Sequence, residues 1–349
     1  MDLSIGNRKI GGNNPVFIIA ELSANHNQKY NIAVETIKAA KNAGADAIKF
    51  QTYTPDTITL DCDNDFFKIK QGTIWDGKTL FKLYQEAYTP WEWQPKLKCI
   101  AEDLGLICFS SPFDKTAVDF LENINVPAYK VASFEITDIP LIKYIASKGK
   151  PIIISTGIAT LADIEEAVNA CREIGNAQIA LLKCTSSYPA PIEEANLLTI
   201  PNMYETFGVE VGLSDHTMGS TVALASVVLG AKIIEKHFIM DRSLGGPDAS
   251  FSMEPQEFIT MVNSIRDVEK AMGTVCYNLS DQSKKNREFS RSLFIVKNIK
   301  AGELFTEDNV RSIRPGFGLH PRHLNEVYGK KSKMDLKKGT PLQFNMIKE

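Results

Sequence analysis

Eight short, continuously apolar segments recur between residues 16 and 236, each followed by a stretch that turns helical in its periodicity. They are VFIIA (16–20), DAIKF (46–50), LICFS (106–110), AYKVA (128–132), PIIIS (151–155), QIALLK (178–183), VEVGL (209–213) and KIIEK (232–236). Segments apolar on both faces read as strands of a parallel sheet covered by helices. The intervening TLADIEEAVNACREIG illustrates the helical half of the unit. Thr160 caps its amino end with Asp163 three residues on, and Gly175 stops it. Eight such units predict a closed (β/α)8 TIM barrel. The rival, an open doubly wound sheet, is disfavoured because no GxGxxG follows the first strand.

The rest of the chain fits around that barrel. MDLSIGNRKIGGNNP lacks the apolar core of a secretory signal and reads as two short strands about a Gly6-Asn7 turn. The longest apolar run, TVALASVVLGAKII, is too short to span a bilayer. A net charge of −3 with interspersed charges gives no surface suited to nucleic acid. The six cysteines show no CxxC spacing and mostly sit in apolar stretches as small hydrophobes, which fits a cytoplasmic protein. Residues 53–90 form a long, aromatic-rich insertion between strands two and three, in the position of an active-site lid. After the last barrel helix comes a polar, basic stretch. The domains are therefore placed at 1–274 for the barrel, 275–289 for a linker and 290–349 for a small β unit. Within that unit NIKAGELFTEDNV echoes DLKKGTPLQFNMI.

Barrel active sites gather where the strands end. The strand ends here carry Glu21, Lys49, Gln51, Ser111, Lys130, Ser133, Glu135, Ser155, Lys183, Ser186, Ser214, His216, Glu235 and His237, among others. His216 and His237 end adjacent strands, whose backbones run about 5 Å apart. Two imidazoles so placed can share a divalent ion, with Glu21 as the nearest carboxylate candidate and open positions for substrate and water. Mn²⁺, Mg²⁺ or Co²⁺ would suit such a site; a general base beside a structural histidine is the other reading of the pair. Lys49, Lys130 and Lys183 among hydroxyls suit a compact anion bearing phosphate and carboxylate. One anionic and one carbonyl-bearing substrate would be joined there. Two other functions stay open on these residues: a Schiff-base aldolase using Lys183 or Lys130 with pyruvate, and a non-catalytic sugar-binding protein.

The segments AELSANHNQ, AIKFQTY, YKVASFEI, PIIISTG, LLKCTSSYP, GLSDHT, EKHF and GGPDASFSM together resemble the sialic acid synthase family. RSLFIVKNIKAGELFTEDNVRSIRPGFGL resembles that family's antifreeze-like SAF domain. The resemblance implies condensation of phosphoenolpyruvate with an open-chain amino sugar, releasing phosphate by C–O cleavage. It implies a metal on His216 and His237, with Glu21 near the aldehyde and the attacking water. Phosphoenolpyruvate contacts fall on Lys49, Ser111, Lys130, Ser133, Ser155, Ser186 and Ser214. Sugar contacts fall on Gln51, Tyr188, Asp248, Phe289 and Arg314. Phe289 and Arg314 belong to the small domain, which the family swaps across a homodimer. ASFEITDIP (132–140) looks like the pseudaminic acid synthase branch, whose substrate is 2,4-diacetamido-2,4,6-trideoxy-L-altrose; N-acetylneuraminate or legionaminic acid synthesis is the alternative. There Phe134 and Glu135 join the sugar set, the phenyl ring offering apolar surface to a 6-deoxy methyl group.

Overall fold

The computed structural model describes residues 3–348. The outer ends of the two assigned domains, residues 1, 2 and 349, lie outside the described residues. The chain divides into two units, one running to Gly273 and the other from Thr274.

In the first unit β1 (Leu3–Ile5) and β2 (Arg8–Ile10) pair antiparallel about the Gly6-Asn7 turn. Eight parallel strands then close into a barrel: β3 (Phe17–Glu21), β4 (Ala47–Thr52), β5 (Ile107–Pro112), β6 (Tyr129–Val131), β7 (Ile152–Ser155), β8 (Ile179–Cys184), β9 (Glu210–Asp215) and β10 (Ile233–His237). Closure comes from β10 pairing with β3, which sets His237 opposite Glu21. Gly212 allows the last two strands to approach: a Cβ there would lie 2.3 Å from the Ile233 carbonyl oxygen. Branched residues such as Ile18, Ile154 and Ile234 are fully buried between barrel and helices. Burying each contributes about 1.5–3 kcal/mol relative to exposure.

The helices obey their sequence signals. Thr160 and Asp163 form a reciprocal capping box at the start of Leu161–Glu173, and Gly175 follows in the left-handed region at φ 84°. Asp114 accepts hydrogen bonds from the Thr116 and Ala117 amides at the start of Lys115–Asn123. The insertion holds two helices, Pro55–Ile58 and Leu80–Ala87. Among the described residues, no helix is long and apolar enough to cross a membrane.

In the second unit β11 (Ser292–Ile295) pairs antiparallel with β12 (Val310–Ile313) over a core that includes Leu293, Ile295, Phe305, Val310 and Leu342. The two echoing segments face each other, with Ile299 and Leu336 exchanging backbone hydrogen bonds of 2.9 and 2.8 Å. Lys300 meets Asp335 at 2.9 Å beside them. The stretch read as a plain linker contains a short helix, Asp281–Asn286, because Ser280 caps it by accepting the Ser283 amide.

Candidate active site

Strand register and two-residue alternation place a buried charge cluster inside the carboxyl end of the barrel. Lys49 on β4 lies opposite Glu21 on β3, and its ammonium meets Glu21 at 2.6 Å, Glu235 at 3.3 Å and the Ser111 hydroxyl at 3.2 Å. Lys130 reaches the same Glu235 oxygen at 3.3 Å, and Ser214 donates to it at 3.2 Å. Two lysines and two carboxylates thus share a site with almost no solvent. Burial pushes Glu21 above the usual carboxylate range against the pull of Lys49. Burial also acts on Glu235, but Lys130 and Lys49 outweigh it and hold that carboxyl below its ordinary value. Glu21 additionally accepts from the Ser23 amide at 3.0 Å and from Gln51 at 3.3 Å.

Beside this cluster stand the two histidines, with ring centroids 5.3 Å apart. His216 Nδ1 lies 3.0 Å from the Thr185 carbonyl oxygen, which can only accept, so Nδ1 carries the proton and the lone pair of the neutral ring lies on Nε2. His237 Nδ1 is buried without a hydrogen-bond partner. Burial, reinforced by His216, holds His237 far below the usual imidazole range, so its ring is neutral. Tyr188 and Phe251 wall the pair, with centroids 4.5 Å from His216 and 5.0 Å from His237 respectively. Among the described residues no group of three or more His, Cys, Asp or Glu is arranged to hold a metal. Asp248 Oδ2 lies 3.8 Å from His237 Nδ1.

A cavity of about 300 Å³ opens over this floor, lined by Gln51, Ser133, Phe134, Glu135, Tyr188, His237 and Asp248. The insertion contributes Tyr53, Trp75 and Tyr84 to its wall. Trp75 packs on Tyr188 at 5.4 Å and donates to the Pro247 carbonyl at 2.9 Å. Asp248 accepts from Ser23. Glu135 is pushed up to about 7 by burial, with Lys130 opposing. A larger cavity, about 690 Å³, lies where the strands begin, with Asp46 and Arg266 among its lining residues, and holds none of the residues expected to act.

The hydroxyls converge less obviously. Ser133 accepts the Gly157 amide at 3.1 Å, and Ser155 Oγ is buried with no partner. A Cβ on Gly157 would sit 2.1 Å from Ser186 Oγ and 2.8 Å from Ser133 Oγ. Only glycine leaves this hydroxyl-lined cradle open.

The barrel thus brings together Glu21, Lys49, Gln51, Ser111, Lys130, Ser133, Ser155, Ser186, Ser214, His216 and His237. Phe134, Glu135, Tyr188 and Asp248 stand around the cavity above. Lys183 does not join the other lysines. Its neighbour Cys184 faces inward beside His216, so alternation turns Lys183 to the other face, where its ammonium donates to the Cys184 carbonyl at 2.8 Å. Phe289 and Arg314 belong to the second unit. There the Gly316 amide donates to the Glu288 carbonyl at 2.8 Å, holding the RPGFG loop against the segment that carries Phe289.

The NeuB family model matches residues 36–277, and the SAF domain model matches residues 290–348. The chain belongs to the NeuB family. It is 48% identical over 328 residues to pseudaminic acid synthase of Campylobacter jejuni, covering 94% of this chain and 95% of that one. It is equally 48% identical over 334 residues to pseudaminic acid synthase of Helicobacter pylori, covering 95% and 98%. The crystal structure of N-acetylneuraminic acid synthetase from Leptospira borgpetersenii aligns with a TM-score of 0.73 at 33% identity, over 83% of this chain and 96% of that one. The likeness to sialic acid synthases expected from the strand-end segments is thereby borne out, and with it the two-part fold.

Three features of this NeuB-family site were given no role from sequence. Glu235 stood among the strand-end residues, yet only the register opposite Ser214 turns it inward onto both lysines. Gly157 lies in PIIISTG, but its signal is steric and appears only with Ser186 and Ser133 beside it. Cys184 looked like a small hydrophobe; its sulfur lies 3.8 Å from His216 Nδ1. Burial works against ionisation of that thiol, but His216 outweighs it and draws the thiol down to about 7.

Proposed function

We propose that this chain is a pseudaminic acid synthase, condensing phosphoenolpyruvate with 2,4-diacetamido-2,4,6-trideoxy-L-altrose to give pseudaminic acid and phosphate. Near-full-length 48% identity to two pseudaminic acid synthases carries the choice of sugar. The exposed ring of Phe134 at the cavity mouth supports it, because apolar surface suits a methyl group better than a hydroxylated carbon. N-acetylneuraminate or legionaminic acid synthesis is the second reading, favoured by the N-acetylneuraminic acid synthetase likeness.

In this reading Lys49, Lys130, Ser111, Ser133, Ser155, Ser186 and Ser214 hold the phosphate and carboxylate of phosphoenolpyruvate. The Gly157 cradle with its unpartnered Ser155 hydroxyl fits an oxyanion. Gln51, Phe134, Glu135, Tyr188 and Asp248 hold the sugar so that its aldehyde meets C3 of phosphoenolpyruvate. The buried, unpartnered Nδ1 of His237 and the committed tautomer of His216 fit two nitrogen ligands to one divalent ion, Mn²⁺, Mg²⁺ or Co²⁺. When bound, such an ion supplies Lewis-acid polarisation of the aldehyde oxygen. As the new C–C bond forms, positive charge develops at C2, and Glu21, held by Lys49, Gln51 and the Ser23 amide, orients the water that adds there. Breaking the bond between C2 and the bridging oxygen then expels phosphate.

Phe289 and Arg314 complete the sugar site of a second copy in a domain-swapped homodimer, and the enzyme works in the cytoplasm. Six unpaired cysteines support that compartment. Phosphoenolpyruvate carrying ¹⁸O at the bridging position tests the chemistry. The label should leave in inorganic phosphate; label kept in the sugar acid would overturn the C–O cleavage, and a borohydride-trapped pyruvate adduct would favour the aldolase.

A further inference from the structure

Behind the two histidines, on the opposite face of the same strand ends, lies a charged pair that touches neither the cavity nor the Glu21–Lys49–Glu235–Lys130 cluster. Lys236 and Asp215 are register partners on β10 and β9, and each side chain is 1% exposed. The Lys236 ammonium meets Asp215 Oδ2 at 2.7 Å and the Thr217 carbonyl oxygen at 2.6 Å. The other Asp215 oxygen accepts from the Thr217 amide at 2.9 Å and from the Thr217 hydroxyl at 2.8 Å. His216 is thus flanked on both sides by residues bonded to one ammonium, and that ammonium belongs to the residue immediately before His237.

Its surroundings make this arrangement costly for mere packing. Leu213 and Ile234, on the same outward faces, are buried hydrocarbons, and burying two charges there carries a desolvation cost that their attraction and the Thr217 hydrogen bonds must offset. The recurrent use of a buried, fully bonded ion pair is to select one geometry. Here the geometry selected is the offset between two adjacent strand ends, and hence the 5.3 Å separation of the imidazoles.

We propose that the Asp215–Lys236 pair, with Thr217, is a positioning device that sets His216 and His237 at the spacing of a divalent-metal ligand pair. It rests on the two-histidine metal reading, and it assigns the pair no contact with substrate. Groups that orient metal ligands from behind change affinity without binding the ion themselves.

The test uses the full chain and Mn²⁺ alone, with free Mn²⁺ followed by electron paramagnetic resonance. Lys236→Met should lower the melting temperature, because Asp215 is left buried and unpaired. The double variant Asp215→Leu/Lys236→Met should melt above Lys236→Met, held below the parent by the Thr217 amide, hydroxyl and carbonyl left without partners, yet bind Mn²⁺ about 10–100-fold more weakly. A metal-free readout runs beside it. The chain has five histidines, so the Nδ1 proton that His216 gives to Thr185 can be followed by NMR, and its exchange should be about tenfold faster or more in the double variant. A folded double variant with Mn²⁺ affinity and exchange within twofold of the parent would overturn the proposal. Should that variant not fold, Thr217→Val carries the same test. It removes one hydroxyl from the network and should weaken Mn²⁺ binding several-fold at nearly unchanged melting temperature; parent-like binding and exchange would overturn the proposal. If the parent itself binds no Mn²⁺, the metal reading fails, and the exchange rate alone decides whether the pair orders His216.

Discussion

Replacing Glu135 by Gln should stabilise the substrate-free barrel at alkaline pH and leave it unchanged in acid. The Glu135 carboxyl is pushed from its ordinary 4.5 up to about 7, chiefly by burial, with Lys130 only partly offsetting it. Below pH 4.5 the group is protonated in both folded and unfolded chains, so its burial carries no ionisation penalty. As pH rises the unfolded chain ionises first, and stability is lost until the folded carboxyl has also ionised, above about pH 7. A displacement from 4.5 to about 7 amounts to about 3 kcal/mol. Glu135→Gln keeps the shape of the protonated acid and removes that dependence. Trp75, Trp91 and Trp93 all lie in the barrel unit, so urea unfolding followed by tryptophan fluorescence reports on the barrel alone. The variant should gain about 3 kcal/mol over the parent at pH 8 and nearly nothing at pH 4.5. An equal difference at both pH values would refute the reasoning, since a changed contact rather than a buried charge would then be responsible.

Other perturbations follow from the same cluster. Lys49→Met leaves Glu21 and Glu235 facing each other with only Lys130 nearby; the barrel should lose about 3–5 kcal/mol in thermal or urea unfolding and phosphoenolpyruvate binding should vanish in calorimetry. Treatment with a chelator should silence turnover and added Mn²⁺ restore it, whereas activity that survives metal removal would contradict the His216–His237 reading. If the small domain is swapped, Arg314→Ala and His216→Ala homodimers should each be inactive, while an exchanged equimolar mixture should regain up to about a quarter of parent activity, since about half of its dimers are mixed and each of those carries one intact site of two. Absence of any complementation in dimers shown to exchange subunits would count against the swap.

The barrel was legible because both-face burial leaves a strong imprint. VFIIA, PIIIS and KIIEK can hardly be anything other than covered strands, and the eight segments fall within one or two residues of the observed strands. The charge cluster was half legible. Strand ends point to Glu21, Lys49 and Lys130, but which of Glu235 and Lys236 faces inward depends on a register that no local pattern states. The same ambiguity exchanged Lys183 and Cys184: Lys183 carries the charge that catches attention, while Cys184 carries the inward position. Gly157 was invisible for another reason, since its meaning lies in the atoms a side chain would strike, contributed by β6 and β8 loops distant in sequence.

The sugar that meets phosphoenolpyruvate over the two histidines defines what this enzyme makes. The direct measurement is phosphate release with Mn²⁺, phosphoenolpyruvate and, in turn, 2,4-diacetamido-2,4,6-trideoxy-L-altrose, its legionaminic acid precursor counterpart and N-acetylmannosamine. The apolar wall at Phe134 predicts a kcat/KM for the altrose at least about tenfold above the others, the order that one methyl-sized contact can supply. A preference for N-acetylmannosamine would contradict it.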